Sequence, residues 1–175
     1  MAGPWWQQYP VTSRFGDPNL LGGLRLRPAQ HIDFATPEGL DLTPVEAGQV
    51  AAKGSDARLG NYVVVRGKSG DWLYFHGADS PVEIGQQVDV DTPFFRSGNT
   101  GASTGPHTSI RLLQGGRPVD PARHLGLGGT AMPEPQGTPI PSIPGAPPPK
   151  PPTKPPTKGK PPEQWAPSSR ALLQG

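Results

Sequence analysis

The residues of this chain best suited to chemistry lie between Ser97 and Ile110, in the run SGNTGASTGPHTSI. Three glycines, a Gly-Pro step and His107 fall within those fourteen residues. Such a run makes tight backbone turns and brings a polar ring to the edge of a sheet. An imidazole in that place could ligate a metal or move a proton. After His107 the chain continues with Thr108-Ser109 rather than a second residue of ligand type. No Ser/His/Asp triad, phosphate-binding loop or paired-carboxylate spacing is present elsewhere.

The elements that must carry these residues read as short strands. From Ala29 onward, short apolar runs are separated by turn residues every eight to twelve positions, the punctuation of an all-β domain. Strands are expected at Leu24 to Arg27, His31 to Ala35, Thr43 to Val45, Gly48 to Ala52, Asn61 to Arg66, Asp71 to His76 and Ile110 to Leu113. Gly67-Lys68-Ser69-Gly70 is expected to turn a hairpin, and Gly115-Gly116 another. Val82, Ile84, Val88, Val90, Phe94 and Phe95 are expected to supply further strands. No segment before residue 120 sustains a helical period, while Pro121 to Leu125 suits one helical turn. The fold class is therefore all-β, a compact antiparallel sandwich or open barrel, followed by a proline-rich extended tail.

Composition separates that tail from the domain. Of 26 prolines, 15 lie between Met132 and Gly175, where few apolar residues are available to repay the entropy of ordering. Residues 1–130 hold 11 Lys and Arg against 12 Asp and Glu, and residues 131–175 hold 5 against 2. The basic excess is on the tail, which argues against a globular nucleic-acid binder. Three regions are expected: an aromatic segment at 1–10, a domain at 11–128 and a Pro/Lys-rich docking tail at 129–175. Trp5 and Trp6 are expected to lid one end of the sheet core or to anchor a partner. The chain has no cysteine, so thiolate metal sites and disulfides are excluded. MAGPWWQQYP lacks the pattern of a secretory signal, and no apolar run approaches the roughly 20 residues of a membrane span. Synthesis in the host cytoplasm is the expectation.

Read together, VTSRFGDP, HIDFATPEG, GQV, GNYVVV, WLYFHG, VEIGQQV, SGNTGASTGPH and GGRPVDP resemble the lysostaphin-like zinc metallopeptidases, which cut peptide cross-links of bacterial peptidoglycan. The resemblance runs from about Val11 to Leu125 and implies a compact antiparallel β-sandwich with a groove. It implies zinc held by a His, an Asp four residues later and the second His of a His-x-His pair, assisted by the first His of that pair and a His in a Tyr-x-His element. On this chain Asp33 matches the ligand Asp, His76 the Tyr-x-His histidine and His107 the first His of the pair. Ala29 and Ser109 stand where the two ligand histidines belong. Asp91 and Gly77 also depart from the family pattern, where Gly and Leu are usual, and imply a relaxed active face. His124 lies outside the implied site.

The resulting expectation is a catalytically inactive, metal-free component of a phage tail tip or similar particle. Its partners would be other virion proteins, met through residues 129–175 and Trp5 and Trp6, together with peptidoglycan. Ala29, His31, Asp33, His76, His107 and Ser109 would then form a vestigial pocket. The alternative is a zinc-dependent peptidoglycan endopeptidase whose metal site has moved to His31, Asp33, His76 and His107, since His31 and Asp33 share one face of a strand. A second alternative is a non-catalytic regulator of a cell-wall amidase.

Overall fold

Alternating apolar residues in the longest runs build one sheet. The computed structural model describes residues 3–18, 20–21, 24–25 and 27–128. In chain order the elements are α1 (Trp5–Gln8), β1 (Val11–Ser13), β2 (Leu20–Leu21), β3 (Leu24–Arg25), β4 (Ile32–Phe34), β5 (Asp41–Leu42) and β6 (Gly48–Asp56). They continue with β7 (Gly60–Gly67), β8 (Gly70–Gly77), β9 (Gln87–Val88), β10 (Phe95–Arg96), β11 (Thr108–Gln114), β12 (Arg117–Val119) and α2 (Ala122–Leu125). The main sheet runs β1-β4-β11-β8-β7-β6-β9, with β12 paired to β11, and every pairing is antiparallel. β5 and β10 form a separate two-stranded sheet, and so do β2 and β3.

The two faces of the main sheet do different work because side chains alternate along each strand. Ile32 and Phe34, Val63 and Val65, Trp72 and Tyr74, and Ile110 and Leu112 fill one core. Leu42 of β5, Phe94 and Phe95 close that core from the other side, which makes the sandwich. Trp5 and Trp6 belong to the same core at 6% and 9% exposure, so of their two expected roles the lid is the one observed. Trp5 meets the edge of Phe34 at 5.4 Å and donates to the Thr43 carbonyl. Trp6 donates to the Leu125 carbonyl and ties α2 to the N-terminus. The opposite face carries Val64, Leu73 and Phe75, together with the residues of the candidate site.

Several expectations need correcting. Trp5–Gln8 is a helical turn despite its aromatic composition, because burial of both indoles outweighs local propensity. Thr43 to Val45 is not a strand. The Val45 N–H is taken by the Tyr74 hydroxyl at 2.9 Å instead of a ladder partner, and the strand lies earlier, at Asp41–Leu42. Ile84 and Val90 are 52% exposed and outside any strand. Gly77 marks close packing rather than relaxation, since a Cβ there would run into the Phe95 ring. The 129–175 tail lies outside the described residues.

Phe34 has no exposed surface and links α1 to the sheet. Phe34→Ala is expected to destabilise the domain by about 3–5 kcal/mol. Ile84→Ala, at an exposed position, is expected to change stability by less than about 0.5 kcal/mol. Denaturant unfolding of the two variants checks the contrast.

Candidate functional site

The site is assembled by register. β11 lies between β4 and β8, and Ser109 is opposite both Asp33 and Phe75. Residues that share this level point to the groove face, and the neighbouring Ile32, Tyr74 and Ile110 point to the core. Ser109 donates to Asp33 Oδ1 at 2.5 Å. His31 Nε2 lies 3.4 Å from the same oxygen, and its ring meets Phe75 edge-on at 5.5 Å. His31 Nδ1 is buried without a hydrogen-bond partner among the described residues.

His76 and His107 approach from the other side, with ring centroids 4.7 Å apart. His76 is the one non-glycine among the described residues with positive φ, at 67°. Backbone strain of that kind is held in place by surroundings and concentrates at working sites. The β7–β8 ladder is irregular between Asn61 and Val63 at this level, which frees the strand end to adopt the turn. The loop after β10 supplies the restraint. His76 Nδ1 bonds the Thr100 carbonyl at 2.8 Å, and Thr100 Oγ1 donates to the Gly77 carbonyl. Gly101, at φ 73°, packs so closely on Gly60 that a Cβ would meet its backbone.

His107 Nδ1 lies 2.7 Å from the Gly105 carbonyl and 3.0 Å from Ser103 Oγ. A carbonyl can only accept, so Nδ1 of each ring carries a proton, and Nε2 has no hydrogen-bond partner among the described residues. Sequence reasoning missed Thr100 and Ser103. Thr100 acts on His76 through a backbone carbonyl, which side-chain identity does not reveal, whereas Ser103 was visible only as a loop hydroxyl four residues before His107.

Charge follows this geometry. Burial raises the Asp33 carboxyl, but its bonds to His31 and Ser109 and the nearby His107 outweigh that and hold it below its ordinary value of 3.8. Burial holds His76 below 6.5, against the opposing bond to Thr100. At neutral pH the site therefore contains one carboxylate and a neutral His76 ring.

The fit to zinc is incomplete. The implied ligand set needs a donor at position 29, but Ala29 is buried with only its backbone bonded, to Gly16 and Asp17. The Ser109 hydroxyl is spent on Asp33. The structure brings His31, Asp33, His76 and His107 together on one face of the main sheet. Among the described residues, however, no group of three His, Asp or Glu side chains is placed to hold a metal ion. The site as arranged does not complete the zinc set implied by the sequence. His124 lies apart, exposed and edge-on to Trp72 at 5.6 Å.

A folded-state pKa below the unfolded one means that His76 stabilises the fold above its unfolded pKa, and that this contribution is lost as pH falls through the folded value. An NMR titration of the imidazole is expected to give a His76 midpoint below 6.5. With His76 still buried, displacing the Thr100 carbonyl through Gly101→Val removes the bond that opposes burial, so the midpoint is expected to fall further.

Comparison with known proteins agrees with this picture. The model of peptidase family M23 matches residues 27–121. Peptidoglycan DD-endopeptidase ShyA of Vibrio cholerae is 36% identical over 123 residues, 66% of this chain and 29% of that protein. An uncharacterised metalloprotease of Haemophilus influenzae is 35% identical over 122 residues, 67% of this chain and 26% of that protein. The chain thus spans less than a third of these curated relatives. Among solved structures, the catalytic domain of lysostaphin from Staphylococcus simulans superposes with a TM-score of 0.62 at 22% identity, covering 70% of this chain and 96% of that one. A point mutant of the catalytic domain of a prophage-encoded M23 protein from Enterococcus faecalis gives 0.57 at 26% identity, over 65% and 88%.

These relatives overturn the expectation of a catalytically inactive domain. The matched family is one of peptidases, and the relatives include named DD-endopeptidases. Replacement of two residues at the site does not by itself make the domain inactive, since Asp33, His76 and His107 keep their places in the groove. Among the described residues no helix is long and apolar enough to cross a membrane. Neither the described residues nor the names of these relatives supply the expected virion setting, and the 129–175 tail lies outside the described residues. With more than half of its 175 residues matched and its sheet superposing on solved members, this chain belongs to peptidase family M23.

Proposed function

We propose that this chain is the catalytic domain of a peptidoglycan endopeptidase, cutting peptide bonds at cell-wall cross-links. One observation carries the reading. Two imidazoles with Nδ1 tied down and Nε2 free, one of them held at φ 67°, face each other beside an ionised carboxylate on the groove face of an M23 fold.

The residues can perform hydrolysis in named roles. A water attacks the scissile carbonyl carbon as Nε2 of His76 or His107 accepts its proton. The same proton then passes to the departing amine nitrogen as the C–N bond breaks. The Asp33 charge stabilises the imidazolium formed between these steps, as its coupling to His107 indicates. Positioned proton transfer of this type contributes about 10²–10⁴-fold. His31 Nε2 lies 3.4 Å from the same Asp33 oxygen that accepts from Ser109, so the carboxylate is held by two neighbours.

The test is digestion of purified peptidoglycan with and without added zinc, with released peptides identified by mass spectrometry. Cleavage by the unaltered chain is expected, falling by at least about 10²-fold in His76→Ala and His107→Ala. Intact cross-links under both conditions would refute the reading. Ala29→His combined with Ser109→His restores two imidazoles beside Asp33 and is expected to bind zinc more tightly than the unaltered chain. Metal analysis after dialysis reads that difference.

A further inference from the structure

Arg111 is the group on the groove face whose charge nothing in the described structure answers. It lies two residues beyond Ser109 on β11 and so shares its face, paired across to Leu73 of β8. Its Nε donates to the Gln30 carbonyl at 3.1 Å. The guanidinium carbon sits 5.6 Å from the centroid of Phe75, the same ring that meets His31 and His76. Arg111 is thereby fixed one aromatic ring away from the histidines. Its two terminal NH₂ groups have no partner among the described residues.

Three other cations of the domain are each paired with a carboxylate. Arg66 forms a two-point bond to Asp71 at 2.7 and 3.1 Å, which raises its pKa. Arg96 reaches Asp41, and Lys53 reaches Glu83. Arg111 meets no carboxylate among the described residues. Burial and the nearby charge of Arg58 push it down to about 10. Arg58 is exposed at the β6–β7 turn, where its carbonyl receives the Ala102 N–H and joins that turn to the His107 loop. A half-buried guanidinium with no carboxylate beside it is costly unless an anion completes it. A planar fork of free N–H groups is shaped for a carboxylate.

We propose that Arg111, assisted by Arg58, is a substrate subsite that binds a peptide carboxylate on the groove floor beside the histidines. The inference rests on the endopeptidase reading for its location. It adds the substrate class: acidic peptides, with a carboxylate set one aromatic ring from the cleaved bond. Phe75 supports the guanidinium from below, and the Gln30 carbonyl fixes its rotation, so the fork is pre-organised. Arg111 is a binding residue in this scheme and takes no part in proton transfer.

The experiment reads binding and not cleavage, so its outcome is independent of whether the histidines hydrolyse anything. Three probes are titrated by NMR at millimolar concentration: acetyl-D-Ala-D-Ala as the free acid, its carboxamide, and the carboxamide with D-Glu in place of the first D-Ala. The free acid is expected to bind at least about tenfold more tightly than the carboxamide, the scale of a hydrogen-bonded charge pair. If the carboxylate recognised is on a side chain, the D-Glu carboxamide shows the gain instead. Arg111→Gln should abolish the preference, Arg111→Lys should keep part of it, and Arg58→Gln should reduce it. A structural role for Arg111 would lower stability without altering the ratio between acid and amide. Arg58 is exposed, so Arg58→Gln carries the test if Arg111→Gln fails to fold. Equal binding of all three probes, no binding of any, or a preference that survives both glutamine variants overturns the proposal.

Discussion

The site depends on the register of three strands, β4, β11 and β8, which sets Asp33, Ser109 and Phe75 side by side. A slip of one residue would turn every member of that row into the core and bring Ile32, Ile110 and Tyr74 to the groove. The register is secured by the other face. Ile32, Tyr74 and Ile110 have no exposed surface, and the alternative pairing would put these three in water and bury a carboxylate. Hydrophobic burial on one side of the sheet thus places the chemistry on the other.

Strain at His76 is sustained by the same logic. A left-handed histidine costs energy, and the loop from Ser97 to His107 offsets it through Thr100, whose carbonyl holds the ring and whose hydroxyl holds the Gly77 carbonyl. The loop itself is anchored where Gly101 meets Gly60 and where Arg58 accepts from Ala102. Three segments far apart in sequence therefore fix one imidazole. His107 needs less, since Gly105 and Ser103 lie within its own turn.

Replacing a ligand histidine by serine changes what the row does. In Ser109 the hydroxyl donates to Asp33, so the carboxylate stays ionised through a hydrogen bond and the neighbouring His31 and not through the ligand set that the family pattern implies. The pocket keeps a negative charge and a His76 ring whose protonation burial disfavours. Arg111 adds positive charge on the same strand face, separated from them by the Phe75 ring. Opposite charges at the two ends of one aromatic platform suit a peptide held at its carboxylate and worked on further along.

Much of this was legible beforehand. Alternating runs such as Tyr62 to Arg66 and Trp72 to His76 specify half-buried strands because period-two burial is a local property. The motif spacing around Asp33, His76 and His107 carried the family. Other features could not be read from residue types. The turn at Trp5–Gln8, the loss of a strand at Thr43 to Val45, the carbonyl of Thr100 on His76 and the open fork of Arg111 each depend on a partner remote in sequence. Sequence by itself determined the longer strands, the family and which ligand positions had changed, since these follow from local periodicity and residue identity. Only the tertiary structure decided which atoms answer one another across the groove, because hydrogen bonds and burial between distant segments exist only once the sheet has closed on its core.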